Sequence, residues 1–297
     1  MATTIFSKIE LALLLIVLFF FSVHSQLHHM MEYCGNDDGG LYNFGIDFSE
    51  NISMANMDRG IKQLISEASN TYYSTTNTTG AGLDRFNAFF SCRYDVTPQT
   101  CQSCVSSAAE RVHECLPETE SSVYYEECTL HYSNRSNFSV IEDLRLIAVS
   151  NHRTIKGEGQ FLQTLYNTIN DLIGEVISKF PVSSRYFAMK KAKYSSRESI
   201  YALAQCNPDM MPANCSTCLH YLFDFSANDP NGVDYAQIVS PICRLSYLFT
   251  AKELSHPWSF ADNRPPVSSS RGIRASSIFG GIIAIIFSVA VSLSFLL

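Results

Sequence analysis

The residues best placed to do chemistry in this sequence are its ten cysteines, and their spacing limits what that chemistry can be. Two pairs are separated by two residues, Cys101/Cys104 and Cys215/Cys218. A C-x-x-C pair can run redox chemistry through a lowered thiol pKa, hold zinc, or close structural disulfides. A zinc ribbon brings its second pair about 15–20 residues after the first. Here the pairs lie 114 residues apart. Each pair also has cysteines at fixed distances on both sides: Cys92 and Cys128 around the first, Cys206 and Cys243 around the second. Structural bridges require that arrangement, so disulfides are expected rather than a metal or redox site.

Other candidates are few. His28 and His29 are adjacent and could contact a metal, but side by side near a chain end they read as solvated. His113 reads as a surface residue of a helix. Asp95 and Asp209 look like paired carboxylates, yet each lies three residues before a proline. A turn role, with the side chain bonding nearby backbone, explains both. The sequence holds no G-x-S-x-G, H-E-x-x-H or phosphate-binding glycine loop. No catalytic residue, cofactor or metal site is therefore expected, and the chain reads as a non-enzyme.

The elements that position the cysteines come from an internal repeat, which should be sought first. Cys92, Cys101, Cys104 and Cys128 recur as Cys206, Cys215, Cys218 and Cys243 at offsets of 114 or 115. Asp95 and Pro98 recur as Asp209 and Pro212, and Leu130-x-Tyr132 recurs as Leu245-x-Tyr247. Val105, Ala108, Ala109 and Val112 form an i, i+3, i+4, i+7 stripe, which predicts an amphipathic helix starting at the C-x-x-C. Leu219, Leu222 and Phe223 continue it in the second copy. An earlier helix is expected in each copy, with Ile61, Leu64, Ile65 and Ala68, then Leu162, Leu165, Ile169, Ile173 and Val176, as buried faces. Val123–Tyr125 and Tyr235–Val239 are β-branched and aromatic and read as strands. Each copy is then a small α+β unit, 26–140 and 141–255. The two copies join without a Gly/Ser linker, so an apolar interface between them is expected.

Parity assigns one bridge without geometry. The first copy has six cysteines and the second four, and those missing correspond to Cys34 and Cys115. A pair lost together is most simply a bonded pair, which gives Cys34–Cys115. Without that staple, the second copy is expected to be the less stable unit alone.

Both ends lie outside this repeat. Residues 1–25 read as a secretory signal, with an 11-residue apolar run from Leu11 to Phe21 and a small-ended site before Gln26. A span would need about 20 apolar residues. Residues 256–277 read as a Pro/Ser-rich stalk and spacer. The 20 residues from 278 to 297 are uncharged and apolar. Ser268, Ser269 and Ser270 before them suit a lipid-anchor signal, with a membrane helix as the alternative. Sequons at Asn51, Asn77, Asn134 and Asn137, and a poorer one at Asn214 followed by Cys215, point to surface glycans. The net charge of −7 argues against nucleic acid as a partner, because phosphate neutralisation needs Lys and Arg.

The C-x8-C-x2-C motif at Cys92/Cys101/Cys104 and Cys206/Cys215/Cys218 resembles the plant ginkbilobin-like, or stress-antifungal, domain. Ile200–Cys206 is especially typical. Signal peptide, two such domains and a C-terminal apolar segment are similar to the cysteine-rich repeat secretory proteins, relatives of plasmodesmata-located proteins and of cysteine-rich receptor-like kinase ectodomains. The resemblance implies an antiparallel sheet packed by two helices in each copy. It also implies the bridges Cys92–Cys101, Cys104–Cys128, Cys34–Cys115, Cys206–Cys215 and Cys218–Cys243. Mannose-binding members of the family grip sugar with an Asn, an Arg and a Glu. At those places this sequence has Gly35, Ser122 and Ser133, and in the second copy Gln237 and Leu248. The expected function is a membrane-tethered extracellular binding or adaptor module that engages apoplastic or membrane proteins, family members among them. Alternatives are an antifungal mannose- or glycan-binding lectin and a regulator of plasmodesmal traffic.

Overall fold

The computed structural model describes residues 27–34, 54–78, 86–115, 120–133, 146–152, 155, 157–179, 186–227 and 233–253. Residues 1–265 form one compact unit and 266–297 another, and every described residue belongs to the first. The signal segment, Gly35, Asn51, Asn134, Asn137, Ser268, Ser269, Ser270 and the C-terminal apolar run lie outside the described residues. Among the described residues, no helix is long and apolar enough to cross a membrane.

The first repeat runs β1 (His29–Cys34), α1 (Met54–Glu67), β2 (Tyr73–Thr78), β3 (Phe86–Cys92), α2 (Pro98–Val112), a 3₁₀ turn (His113–Cys115), β4 (Glu120–Tyr125) and β5 (Cys128–Ser133). The second runs β6 (Ile147–His152), α3 (Glu158–Ser178), β7 (Phe187–Lys193), β8 (Ser199–Cys206), α4 (Pro212–Ala227), β9 (Val233–Val239) and β10 (Cys243–Thr250). Each repeat is a five-stranded antiparallel sheet, ordered β1-β4-β5-β3-β2 and β6-β9-β10-β8-β7. Two helices pack on one face of each, so both repeats have the same α+β architecture.

The C-x-x-C spacing is explained by this register. Cys92 and Cys128 face each other across β3 and β5. Residues three apart on a helix share a face, so Cys101 and Cys104 on α2 each reach one of the two strand ends. The bridges are Cys92–Cys101 and Cys104–Cys128. Cys206 and Cys243 face each other likewise, and bond Cys215 and Cys218. The fifth bridge joins Cys34, at the end of β1, to Cys115 in the 3₁₀ turn. No cysteine among these ten is free. Thr97 caps α2 by accepting a hydrogen bond from the Thr100 amide at 3.1 Å, with Pro98 just inside the helix.

Two packing expectations need correction. Leu162 is exposed, and Phe161 takes the core position on α3 with Leu165, Ile169, Ile173 and Val176. Both residues are apolar, but one step along a helix turns a side chain by about 100°, and only Phe161 continues the buried stripe. His28 and His29 do not lie on a free end: His29 opens β1, paired with Tyr125 of β4.

Candidate functional site

Side chains alternate between the faces of a strand. Ala88, Phe90, Val123, Leu130 and Tyr132 point to the helices of the first repeat and form its core. Their neighbours Phe89, Ser91, Ser122, Tyr124, Thr129 and His131 therefore point the other way, and all are buried as well. The second repeat shows the same pattern. Tyr201, Leu203, Tyr235 and Leu248 form a buried cluster separate from the helix-facing core. The helix-free faces are covered because the repeats meet through them. Phe89 joins the core cluster of the second repeat. Tyr124 packs with Ile147 and Val239, and the rings of Tyr94 and Phe187 are 6.0 Å apart.

The junction is not purely apolar, in contrast to the sequence expectation. Arg244 of β10 donates from Nη1 to the Glu126 carbonyl at 2.6 Å and from Nη2 to Thr129 Oγ1 at 3.0 Å. Burial and the nearby Arg93 push its guanidinium down to about 10, against the pull of Asp95, Glu127 and Glu126. It stays charged at neutral pH. Gln205 of β8 donates from Nε2 to the Cys92 carbonyl at 2.8 Å and accepts from the Tyr94 amide at 3.1 Å. One amide group thus satisfies both orphan backbone groups where β3 ends, which a buried junction requires. Arg93 pairs with Asp95 at 2.5 Å. The turn role expected for Asp95 is corrected accordingly: it sits at a turn closed by Val96 N–H to Arg93 O at 3.2 Å, but its carboxylate serves the arginine. Asp209 instead faces Tyr73, whose phenol is raised far above its ordinary range by burial first and by the Asp209 charge and hydrogen bond second.

His28 is held at the same place. Its amide donates to Glu127 Oε2 at 3.1 Å, and Nδ1 lies 3.0 Å from Glu127 Oε1. The donor atoms of His28, Glu126 and Glu127 lie within 4.8 Å of one another, a spacing that a cation could use. Arg93 and Arg244 already supply positive charge there, so the cluster reads as an ionic clasp between the repeats. His113 is about half exposed beside Asp58 on α1.

One hydroxyl–imidazole pair has the contact that nucleophilic catalysis uses. Ser122 Oγ and His131 Nδ1 are 2.7 Å apart. Burial pushes the His131 imidazole down to about 3, opposed by a hydrogen bond with the Ser121 backbone. So weak a base, with both residues buried, does not suit proton abstraction near neutral pH.

The described places that grip sugar in mannose-binding relatives all fall on the covered faces. Ser122 is 1% exposed, Ser133 3%, Gln237 2% and Leu248 2%. A cavity at the junction, lined by Ser91, Thr129, Gln205, Asn207 and Arg244, measures 10 Å³, about one water. Of the sequon residues, Asn77 lies on edge strand β2 and Asn214 is half-buried in the first turn of α4. Arg244, Gln205 and His131 carry no motif. Only Gln205 stands out, as a polar residue after the apolar run Ile200–Ala204 of its strand; Arg244 and His131 share their strands with other polar residues.

Residues 33–135 and 149–249 both match the family described as salt stress response/antifungal. Among proteins of Arabidopsis thaliana, cysteine-rich repeat secretory protein 9 is 30% identical over 250 residues, 80% of this chain and 74% of that one. Putative cysteine-rich repeat secretory protein 7 is 29% identical over 238 residues, 77% of this chain and 80% of that one. Cysteine-rich receptor-like protein kinase 10 is 30% identical over 193 residues, 63% of this chain but only 28% of the kinase. The tandem DUF26 ectodomain of the Arabidopsis thaliana cysteine-rich receptor-like protein PDLP8 has a TM-score of 0.60 at 14% identity, covering 76% of this chain and 99% of that one. That of PDLP5 has a TM-score of 0.53 at 16% identity, covering 74% and 98%. At these identities the likeness to the two ectodomains is one of fold.

Proposed function

Because this chain belongs to the salt stress response/antifungal family and is one of its cysteine-rich repeat secretory proteins, we propose that it is a non-enzymatic extracellular binding or adaptor protein of the plant cell surface, tethered by its C-terminus and acting in defence or cell-to-cell signalling. The observation that carries this reading is the closed junction. Ser122, Ser133, Gln237 and Leu248, the described positions that the resemblance to mannose-binding members would assign to a sugar, are buried on the faces that join the repeats, so recognition falls to the helices and sheet edges, surfaces suited to protein partners. The apolar run from 278 to 297 supports a tether, and the sequons support passage through the secretory pathway.

Co-purification of the tagged full chain from membranes tests the adaptor role. Recovery of a membrane or apoplastic protein is the expected result, and recovery of none above background counts against it. Phosphoinositide-specific phospholipase C releases the protein if the tether is a lipid attached at Ser268, Ser269 or Ser270; retention indicates a spanning helix. Saturable binding to mannan would overturn the argument from the closed junction.

A further inference from the structure

Strand β7 closes one edge of the second repeat's sheet, and no strand among the described residues pairs with its outer side. The Cys206 amide donates to the Tyr186 carbonyl, and the Tyr194 amide to the Glu198 carbonyl. Every second residue between Tyr186 and Tyr194 therefore turns its N–H and C=O to β8. Phe187, Met189, Lys191 and Lys193 turn theirs outward. Lys179 Nζ already donates to the Phe187 carbonyl. The outward groups of Met189, Lys191 and Lys193 remain as an open ladder, and Lys191 and Lys193 are exposed.

This edge is basic in an acidic chain. From Lys190 to Arg197 the sequence has four cations and no Asp or Glu, against a net charge of −7. The fold does not demand them: β2, at the corresponding edge of the first sheet, reads Tyr-Ser-Thr-Thr-Asn-Thr. Lysines on an edge also deter stray strands, a protection that β2 does without. Two of the cations already hold carboxylates. Lys190 meets Asp171 at 3.1 Å, and Lys191, 5.3 Å from the centre of the Tyr201 ring, meets Glu253 at 2.6 Å. The Asp171 and Glu253 side chains are 66% and 77% exposed, so these pairs are weak and exchange readily for other carboxylates. Lys193 and Arg197 make no ion pair among the described residues.

From this we infer that the outer edge of β7 docks an extended, acidic segment of a partner protein, which adds a strand to the second sheet. In such contacts main-chain pairing supplies affinity and alternate side chains supply specificity. Successive outward residues of a strand are about 6.6 Å apart. A docked strand with Asp or Glu at alternate positions therefore sets one carboxylate beside Lys191 and the next beside Lys193. An acidic polysaccharide or an anionic lipid would answer the charges alone. Neither carries N–H and C=O groups in strand register to pair with Met189, Lys191 and Lys193.

This deepens the adaptor reading, on which it rests, by giving the surface and the chemistry of the partner. The test titrates the full chain against a labelled peptide of alternating Glu and Thr, with an alternating Lys and Thr peptide as control. Saturable binding of the Glu peptide, weakened by salt, is expected. Hydrogen exchange at the amides of Met189, Lys191 and Lys193 is expected to slow when it binds. The Lys191→Ser/Lys193→Ser variant is expected to weaken binding about three- to tenfold. Met189→Pro keeps every cation and deletes one outward N–H, a change that an edge strand tolerates, and is also expected to weaken binding. Thermal unfolding like that of wild type shows that the variants remain folded. No binding of the Glu peptide, equal binding of both peptides, binding without slowed exchange, or full binding by both variants overturns the inference. So does self-association of the double Ser variant with peptide binding intact, which would make the lysines guards of the edge alone. Co-purification from membranes is a separate measurement, so a partner recovered there without peptide binding here leaves the adaptor reading standing and this inference overturned.

Discussion

Arg244, near the start of the last strand, hydrogen-bonds at 2.6 Å to the main-chain carbonyl of Glu126, 118 residues earlier. A fully buried guanidinium carries a large desolvation cost, offset here by the Glu126 carbonyl, Thr129 Oγ1 and three nearby carboxylates. The contact closes the junction at the strand ends where the disulfides also gather.

Removing one side of such a buried network leaves the rest uncompensated. Arg244→Ala is expected to cost about 3–5 kcal/mol. It should also split a single cooperative unfolding transition into two, because the repeats then lose a shared contact. Chemical denaturation followed by two probes, one in each repeat, checks this. Coincident, unshifted transitions would show that Arg244 contributes nothing.

His131 gives a pH dependence of known sign. Its folded-state pKa is about 3 and its ordinary value 6.5. Between these values the unfolded chain takes up a proton that the folded chain does not. Stability is therefore fully present above pH 6.5, falls as the pH is lowered, and is lost by about pH 3. The slope from this one group is at most ~1.4 kcal/mol per pH unit. Carboxylates add their own acid dependence, so the measurement is the difference between wild type and His131→Gln from pH 7 to 4. That difference should shrink steadily on acidification. A constant difference would place the His131 ring in a wetter site than this structure shows.

Much of this architecture is legible in the sequence, for identifiable reasons. The repeat shows because cysteines tolerate little drift when C-x-x-C must straddle Cys92 and Cys128, or Cys206 and Cys243. The α2 stripe shows because Val105, Ala108, Ala109 and Val112 face one sheet. On α3, two adjacent apolar residues make the phase ambiguous, and the stripe that includes Leu162 runs one residue past the core position that Phe161 occupies. Strand β1 was hidden because His-Met-Met-Glu-Tyr-Cys has no apolar alternation. The junction was illegible because Gln205 and Arg244 meet partners 113 and 118 residues away. A polar residue in a strand ordinarily signals a solvated face.

Gly60 tests the packing of the first repeat. A Cβ on this α1 residue would lie 2.7 Å from Cε1 of Phe86, a ring with no exposure. Helix propensity alone would make Gly→Ala stabilising by up to ~1 kcal/mol. Overpacking against a ring that cannot retreat costs about 1–3 kcal/mol, and should win. Gly60→Ala is thus expected to lower the melting temperature, and adding Phe86→Leu should recover part of the loss. A rise in melting temperature for the single variant would mean that Phe86 has room to shift.

The Cys34–Cys115 bridge is the one element of the first repeat with no counterpart among the second repeat's cysteines, and it closes a separation of 81 residues. Chain-entropy arguments value a loop of that length at roughly 4–4.5 kcal/mol. The bridge fixes edge strand β1 to the end of α2, and β1 leads back to His28, whose amide and ring hold Glu127 at the junction. Replacing both cysteines with alanine should therefore do more than lower the stability of the first repeat by a few kcal/mol. Strand β1 should fray, and the amides of Glu126 and Glu127 should lose protection even though they lie far from the bridge in sequence. Hydrogen exchange on the full chain distinguishes the outcomes. Faster exchange in β1 and at Glu126–Glu127, with β8 and β10 unchanged, is the expected pattern. Uniform acceleration across both repeats would mean that the bridge stabilises the whole molecule through the unfolded chain alone, leaving β1 no local role in holding the junction.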